Sequence, residues 1–271
     1  MRRCNLAFAG SGQLYPAFIG VLMCLQDRGI SIAEIAATSG GAIIAAGIGS
    51  GHIPGSQLVS LIKRTLPFKN KLFDLSLHSL IKRWGLIKGD RIKSVFDSHF
   101  CRTLGESSIP LHVSASNITA RRLRIFSSEK DPAFSLSLAV RASISLPLIF
   151  APVEIDGNLH VDGGWMKNMP SDVFSNGLPV LAFNFKPRAG IAIGITNLKN
   201  YALALLESII DGDRGEEASA LIHTISISTR LSTLNFNVSE YDVDEMIAEG
   251  YKATDDWLGK NEEKVFKMRD L

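Results

Sequence analysis

The sequence predicts an α/β fold with a mainly parallel central sheet. A short apolar segment, a glycine-containing turn and a helix-forming segment follow one another twice within the first fifty residues, and further short apolar segments recur along the chain. Such alternation is typical of parallel strands connected by helices. The length of 271 residues suits a single domain, 1–271, with a large core.

The first unit of this pattern spans residues 5–29. Asn5–Ala9 form an apolar run that stops at Gly10-Ser11-Gly12, as a buried strand ending in a tight turn does. A helix is predicted over Pro16–Arg28, because its apolar residues recur at helical spacing and Gly29 follows its end.

The second unit repeats the same order. Ile32–Ala37 read as a buried strand, Thr38-Ser39-Gly40-Gly41 as a turn, and Ala42–Ile48 as a helix rich in small residues. Together the two units indicate neighbouring parallel strands.

Residues 55–100 are predicted to form a helical lid or covering segment. Apolar residues recur there at three-to-four spacing, and nine of the 29 basic residues of the chain lie between 63 and 93. Phe68, Phe73, Leu80 and Trp84 could enter a bilayer while the basic groups meet phosphates. An ordinary amphipathic covering layer explains the pattern equally well.

The rest of the chain predicts further strands and helices. A hairpin is expected around Asp156-Gly157, joining strands over 149–153 and 159–161. Other strands are expected over 111–116, 123–126, 180–185 and 224–228, and helices over 136–143, 197–210 and 243–258.

Composition excludes several functional classes. A net charge of +2 gives no global attraction to nucleic acid. Cys4, Cys24 and Cys101 are too few and too scattered for a disulfide framework or a zinc site. The uncharged stretches 4–26 and 35–62 contain too many glycine, proline and polar residues for a signal peptide or a membrane-spanning helix. The expected location is cytoplasmic, with peripheral membrane contact at most.

Ser39 is the first candidate for chemistry. Ala37-Thr38-Ser39-Gly40-Gly41 places a serine on a strand-to-helix turn between small residues, which is the nucleophile-elbow pattern with Ala in place of the first Gly. The serine of such a turn has a strained backbone, and the following helix directs its amide dipoles at the serine oxygen. A glycine-rich packing turn with an inert serine would have the same sequence.

Two further segments could complete a site around Ser39. The turn Gly10-Ser11-Gly12 could present backbone N–H groups to an oxyanion or a phosphate, and Asp162-Gly163-Gly164 places a carboxylate at the end of a strand. None of the histidines lies in a glycine-flanked loop late in the chain, where an α/β-hydrolase places its base. Asp162 is therefore the better candidate base. The six histidines are His52, His78, His99, His112, His160 and His223.

These segments resemble the patatin-like phospholipases, a family whose active site is a Ser-Asp dyad. Four blocks occur in the family's order and cover most of the chain. They are Gly10-Ser11-Gly12 with Gly20-Val21-Leu22, Ala37-Thr38-Ser39-Gly40-Gly41, Ala142-Ser143-Ile144-Ser145-Leu146-Pro147 with Phe150 and Pro152, and Asp162-Gly163-Gly164 with Asn168 and Pro170.

The first block departs from the family pattern. The family's oxyanion loop has a basic residue and a final glycine where this chain has Leu14 and Tyr15. The backbone donors could survive this change, but a basic side chain that would hold an oxyanion or a lipid phosphate is missing. Ala37 for Gly is a sterically mild second departure.

The resemblance implies a three-layer α/β/α sandwich and a lipid acyl hydrolase of the phospholipase A or lysophospholipase type. Ser39 and Asp162 would form the dyad, and backbone N–H groups of Gly10, Ser11, Gly12 and Gly40 would stabilise the oxyanion. No cofactor or metal is expected, and the substrate would be a phospholipid or lysophospholipid. An acyltransferase using the same serine, a catalytically weak lipid-binding or regulatory module, and activation by a protein partner remain open.

Overall fold

The computed structural model describes most of the chain. The described residues are 2–52, 54–65, 77–186, 219–235 and 237–267, with the single positions 197, 201, 204, 205 and 208. The strands are β1 Arg3–Phe8, β2 Ser31–Thr38, β3 Gly85–Ile87, β4 Leu111–Asn117, β5 Arg122–Ser127, β6 Leu148–Phe150, β7 Val153–Ile155, β8 Asn158–Asp162, β9 Val180–Phe185 and β10 Ile222–Ile227. The helices are α1 Ala17–Asp27, α2 Gly40–Gly49, α3 Ser56–Thr65, α4 Leu77–Arg83, α5 Asp90–His99, α6 Leu136–Ser143 and α7 Glu240–Lys267.

The central sheet has eight strands and is mainly parallel. Strands β10, β9, β1, β2 and β4 lie side by side and run parallel, while β5, β8 and β7 add antiparallel pairs at the β4 side. The predicted α/β class is therefore confirmed. The strand–turn–helix units predicted from the first fifty residues correspond to β1 with α1 and to β2 with α2.

Strand β4 brings two distant parts of the chain together. One of its edges is paired with β5 over residues 112–117. Its other edge is shared, because β2 pairs with residues 111–114 and β8 pairs with residues 115–117. Thr38 is opposite Ser114 and Asp162 is opposite Ala115, so the ends of β2 and β8 meet.

The core lies mainly between the sheet and the helices. Leu6 and Phe8 of β1 point to this side, where Phe18 of α1 stacks on Phe8 with ring centroids 4.4 Å apart. On the opposite face, small residues such as Ala7 and Ala182 pack against Met169 and Phe174. Alternation along the buried strands therefore directs large side chains to one face and small ones to the other.

Helix α7 packs directly on α1. A Cβ atom at Gly250 would lie 1.9 Å from the carbonyl oxygen of Ala17, and one at Gly20 would lie 1.9 Å from that of Ile247. The two backbones touch at these glycines, which explains why α1 has a glycine at position 20. In the part of the chain that the structure describes, no helix is both long and apolar enough to cross a membrane.

Some elements differ from the expectation. Segment 55–100 contains α3, α4 and α5, but β3 interrupts the helices and pairs in parallel with β6. The apolar run at 149–153 is therefore divided between two strands. Its first part belongs to β6, which pairs with β3, and only its end belongs to β7, which forms the predicted hairpin with β8. Most of the helix expected over 197–210 falls outside the described residues, and so do Phe68 and Phe73 of the covering segment.

Candidate active site

Ser39 lies in the tight turn between β2 and α2. Its φ of 52° and ψ of −123° are unfavourable for a residue with a side chain, as is usual where a surrounding fold forces a functional conformation. A Cβ at Gly41 would lie 2.8 Å from that of Phe8, so the turn packs against β1. This is the physical reason for the small residues around the serine.

A second serine fixes the backbone of this turn. The amide N–H of Ser39 donates to the Oγ of Ser143, at the end of α6, over 2.8 Å. Sequence reasoning missed this role, although Ser143 belongs to one of the blocks that carry the family resemblance. Only the packing of α6 beside the turn reveals it.

Asp162 is the hydrogen-bond partner of Ser39. The Ser39 hydroxyl donates to Oδ2 of Asp162 over 2.5 Å, and the amide of Gly164 donates to Oδ1 over 2.8 Å. The backbone amide of Asp162 itself donates to the carbonyl of Ser145, which anchors the end of β8. Both oxygens of the carboxylate are therefore held, with one of them directed at the serine.

Burial changes the acidity of Asp162. The residue is 3% exposed, and this desolvation raises the pKa of its carboxyl from an ordinary 3.8 to about 6, against the opposing effect of the two hydrogen bonds that it accepts. A carboxylate with a raised pKa is a stronger base. At pH 7 the group is still mostly ionised, as a proton acceptor has to be.

Three of the four expected oxyanion donors have free amides. The N–H groups of Ser11, Gly12 and Gly40 donate to no acceptor within the described protein. The structure corrects the expectation for Gly10, because its N–H donates to the carbonyl of Asn168 over 3.0 Å. Gly10 instead joins the glycine turn to the segment that follows Asp162.

The glycine turn packs against both α2 and a late segment of the chain. A Cβ at Gly40 would lie 2.5 Å from the Oγ of Ser11 and 2.7 Å from the carbonyl oxygen of Gly12. The amide of Gln13 donates to the carbonyl of Thr233 over 2.8 Å. Contact with Thr233 thus holds the turn beside Ser39, and the sequence carried no signal for it.

The two departures from the family's oxyanion loop face inward. Leu14 and Tyr15 are each 2% exposed, and Tyr15 lines the cleft beside Ser39. Burial raises the pKa of the Tyr15 hydroxyl, so the group stays neutral and adds no charge to the cleft. Neither position therefore supplies the positive charge that the basic residue of the family pattern would bring.

A largely apolar cleft leads to Ser39 and Asp162. Because its walls offer hydrocarbon rather than charge, they suit an acyl chain better than a polar group. The apolar lining consists of Ile43, Ile92, Phe96, Ile144, Leu146, Phe150 and Leu234.

The histidines whose side chains are described line no part of this cleft. His160 hydrogen-bonds to the carbonyl of Asn158, and His112 to the carboxylate of Glu34. Within the described residues, no cluster of three His, Cys, Asp or Glu side chains could hold a metal ion. Among the described side chains, the carboxylate of Asp162 is the one that accepts the hydrogen bond of the Ser39 hydroxyl.

Comparison with known proteins identifies relatives of the chain. The family model for patatin-like phospholipase matches residues 6–175. An uncharacterized protein of Acanthamoeba polyphaga mimivirus is 30% identical over 186 residues, 64% of this chain and 62% of the viral protein. An uncharacterized NTE family protein of Mycobacterium bovis is 30% identical over 171 residues, 62% of this chain and 44% of that protein.

The chain therefore spans less than two thirds of the length of these curated relatives. Among solved structures, the crystal structure of VipD from Legionella pneumophila matches with a TM-score of 0.55 and 16% identity, covering 95% of this chain and 66% of that one. At this identity the match shows a shared fold.

Proposed function

The chain belongs to the patatin-like phospholipase family, and from this premise we propose that it is a lipid acyl hydrolase in which Ser39 and Asp162 form a catalytic dyad. One observation carries the proposal: the Ser39 hydroxyl donates to the buried Asp162 carboxylate over 2.5 Å, at the end of an apolar cleft. A nucleophile within hydrogen-bond reach of its base is what acyl transfer requires.

The first half of the reaction forms an acyl-enzyme. Asp162 accepts the hydroxyl proton as the Oγ of Ser39 attacks the ester carbonyl. Negative charge develops on the carbonyl oxygen, and the free amides of Ser11, Gly12 and Gly40 stabilise it. The C–O bond to the alcohol then breaks, and the alcohol leaves with the proton that Asp162 returns.

The second half releases the fatty acid. Asp162 accepts a proton from water, the resulting hydroxide attacks the acyl carbonyl, and Ser39 regains its proton as the ester bond breaks. If an alcohol occupies the place of water, the same steps give acyl transfer. Product analysis with and without an added acceptor alcohol distinguishes the two outcomes.

The apolar cleft supports a substrate with a long acyl chain. Ile92 and Phe96 on α5 line it together with Leu146 and Phe150, so a methylene chain inside it would contact hydrocarbon. A phospholipid or lysophospholipid offers such a chain next to a carboxylic ester. We propose these lipids as the substrate class.

The test compares wild type with Ser39→Ala and Asp162→Asn on a short-chain ester and on phospholipid vesicles. Both substitutions are expected to lower kcat/KM by about 10⁴-fold, because each removes one partner of the dyad. Asp156→Asn is the matched control, since Asp156 is an exposed carboxylate on the same β7–β8 hairpin. Full activity of Asp162→Asn would overturn the dyad.

A further inference from the structure

Large apolar side chains are exposed beside the cleft. Ile81 is 76% exposed, Trp84 59% and Leu148 54%. Ile81 lies near the end of α4, Trp84 follows that helix, and Leu148 begins β6. Exposed apolar residues that are grouped rather than scattered mark interaction surfaces. We call Ile81, Trp84 and Leu148 the apolar rim.

The β3–β6 pairing brings the backbones of Trp84 and Leu148 close to each other. Gly85 is the register partner of Leu148, so Trp84 precedes this pair by one residue at the end of the ladder. A Cβ at Gly85 would lie 2.1 Å from the amide nitrogen of Ala151, which shows how closely the two strands approach. The close pairing fixes the positions of Trp84 and Leu148 relative to each other.

Both residues have an unfavourable backbone conformation. Trp84 has a φ of 58° and Leu148 a φ of 68°. A left-handed conformation costs a bulky residue free energy that glycine or asparagine would largely avoid. Such strain is typical of functional positions. Here it accompanies two apolar side chains that contribute little to the core, because both are more than half exposed.

The rim is flanked by positive charge. Residues 81–93 carry five basic side chains, Lys82, Arg83, Lys88, Arg91 and Lys93, against the single acidic Asp90. The chain as a whole has a net charge of only +2, so the basic charge is local. Lys82 and Arg83 stand between Ile81 and Trp84, and all four are exposed.

Two segments of the chain connect the rim to residues that line the cleft. Leu148 lies between Leu146 and Phe150, which both line the cleft. Segment 85–99 runs from the rim to Ile92 and Phe96 of α5, which also line the cleft. The chain thus connects the rim to the lining of the cleft both after Trp84 and around Leu148.

We propose that the apolar rim docks on a bilayer containing anionic phospholipids. Ile81, Trp84 and Leu148 enter the interfacial region, where aromatic and aliphatic side chains partition, and Lys82 and Arg83 meet lipid phosphates. Charge complementarity favours this occupant over a protein partner. The inference rests on the proposed function, because docking would bring the acyl chain of a membrane lipid to the mouth of the cleft.

Vesicle flotation tests the docking without interference from hydrolysis. All binding is measured in a Ser39→Ala background, with vesicles of phosphatidylcholine alone and with 30% phosphatidylglycerol. The double variant Trp84→Asn, Leu148→Asn removes the apolar groups, and asparagine tolerates the left-handed backbone. Its affinity for the anionic vesicles is expected to fall at least tenfold.

A second variant tests the contribution of the basic side chains, and a control tests whether the loss of any exposed leucine weakens vesicle binding. Lys82→Gln, Arg83→Gln should weaken binding to the anionic vesicles about tenfold and leave binding to neutral vesicles unchanged. Leu221→Asn also removes an exposed leucine, 37% exposed and next to the edge strand β10, and should bind like its parent. Circular dichroism and thermal melting establish that each variant is folded.

Catalysis provides an independent readout. With Ser39 restored, the rim double variant should hydrolyse a soluble short-chain ester at the wild-type rate and vesicle lipid at least tenfold more slowly. Unchanged flotation of the rim variant, or capture of the rim by a protein while vesicles stay unbound, would overturn the docking proposal. If wild type hydrolysed no ester but the protein bound vesicles as expected, the proposed function would be overturned and the docking proposal would stand.

Discussion

Replacing Asp162 by asparagine should stabilise the protein at neutral pH while abolishing its activity. The pKa of this carboxyl rises from 3.8 unfolded to about 6 in the folded chain, because burial disfavours the ionised form. One pH unit of such a difference corresponds to about 1.4 kcal/mol, so ionised Asp162 costs the folded state about 3 kcal/mol.

The sign of the pH dependence follows from the same pKa difference. Below pH 3.8 the carboxyl is protonated in both states and no penalty exists. As the pH rises to about 6, the unfolded chain releases its proton while the folded chain retains it, so the free energy of unfolding falls. Above pH 6 the penalty is constant. An amide at position 162 has no such penalty at any pH.

Asparagine also preserves the local hydrogen bonds. Its amide oxygen can accept from Gly164, and its NH₂ can donate to the hydroxyl oxygen of Ser39. Asp162→Asn should therefore raise the free energy of unfolding at pH 8 by about 3 kcal/mol. For 271 residues this corresponds to about 5 °C in Tm, because unfolding entropy is about 2.1 cal/mol/K per residue.

Thermal and urea unfolding of wild type, Asp162→Asn and the exposed control Asp156→Asn measure this effect. Each protein is compared at pH 8 and at pH 4. The gain for Asp162→Asn should be large at pH 8 and mostly lost at pH 4, and the control should stay within about 0.5 kcal/mol of wild type at both. An equal gain at both pH values, or none at pH 8, would refute the reasoning.

Three further results are expected. The kcat/KM of wild type should fall about tenfold for each pH unit below 6, as Asp162 becomes protonated; a flat profile down to pH 4.5 would exclude it as the base. Ser143→Ala leaves the Ser39 amide without its acceptor and should lower kcat/KM about tenfold, and it should lower Tm by only a few degrees; an unchanged kcat/KM would contradict this. Gly40→Ala should abolish hydrolysis in a folded protein, because the new Cβ would lie 2.5 Å from the hydroxyl oxygen of Ser11. The control Gly259→Ala, whose new Cβ would lie 3.9 Å from its nearest neighbour, should match wild type in the same assay.

The sequence predicted those parts of the fold that depend on local pattern. The turn at Ser39 was predictable because a serine between small residues, after a buried strand and before a helix, is the pattern of a nucleophile elbow. The small residues are needed for steric reasons, as the close approach of Gly41 to Phe8 shows. Asp162 was predictable as a carboxylate at a strand end. That the two residues meet depends on the shared edge of β4, which local pattern does not reveal.

Long-range backbone contacts explain what the sequence missed. Gly10 looked equivalent to Gly12 within one turn, but the carbonyl that takes its amide lies 158 residues away at Asn168. The apolar run 149–153 has no mark that divides it between two sheets, apart from Pro152. The partner of its first half, Gly85–Ile87, lies within a segment whose apolar spacing looked helical.

The most direct test of the Ser39–Asp162 dyad is covalent labelling with a fluorophosphonate. The Oγ of Ser39 forms a bond to phosphorus, fluoride leaves, and Asp162 takes the hydroxyl proton. Intact-mass analysis should therefore show one phosphonyl group per chain, and peptide mapping should locate it at Ser39. The rate of labelling should fall on the order of 10³-fold or more in folded Asp162→Asn and stay unchanged in Asp156→Asn. Rapid labelling of Asp162→Asn, or modification of a different serine, would contradict the proposed dyad.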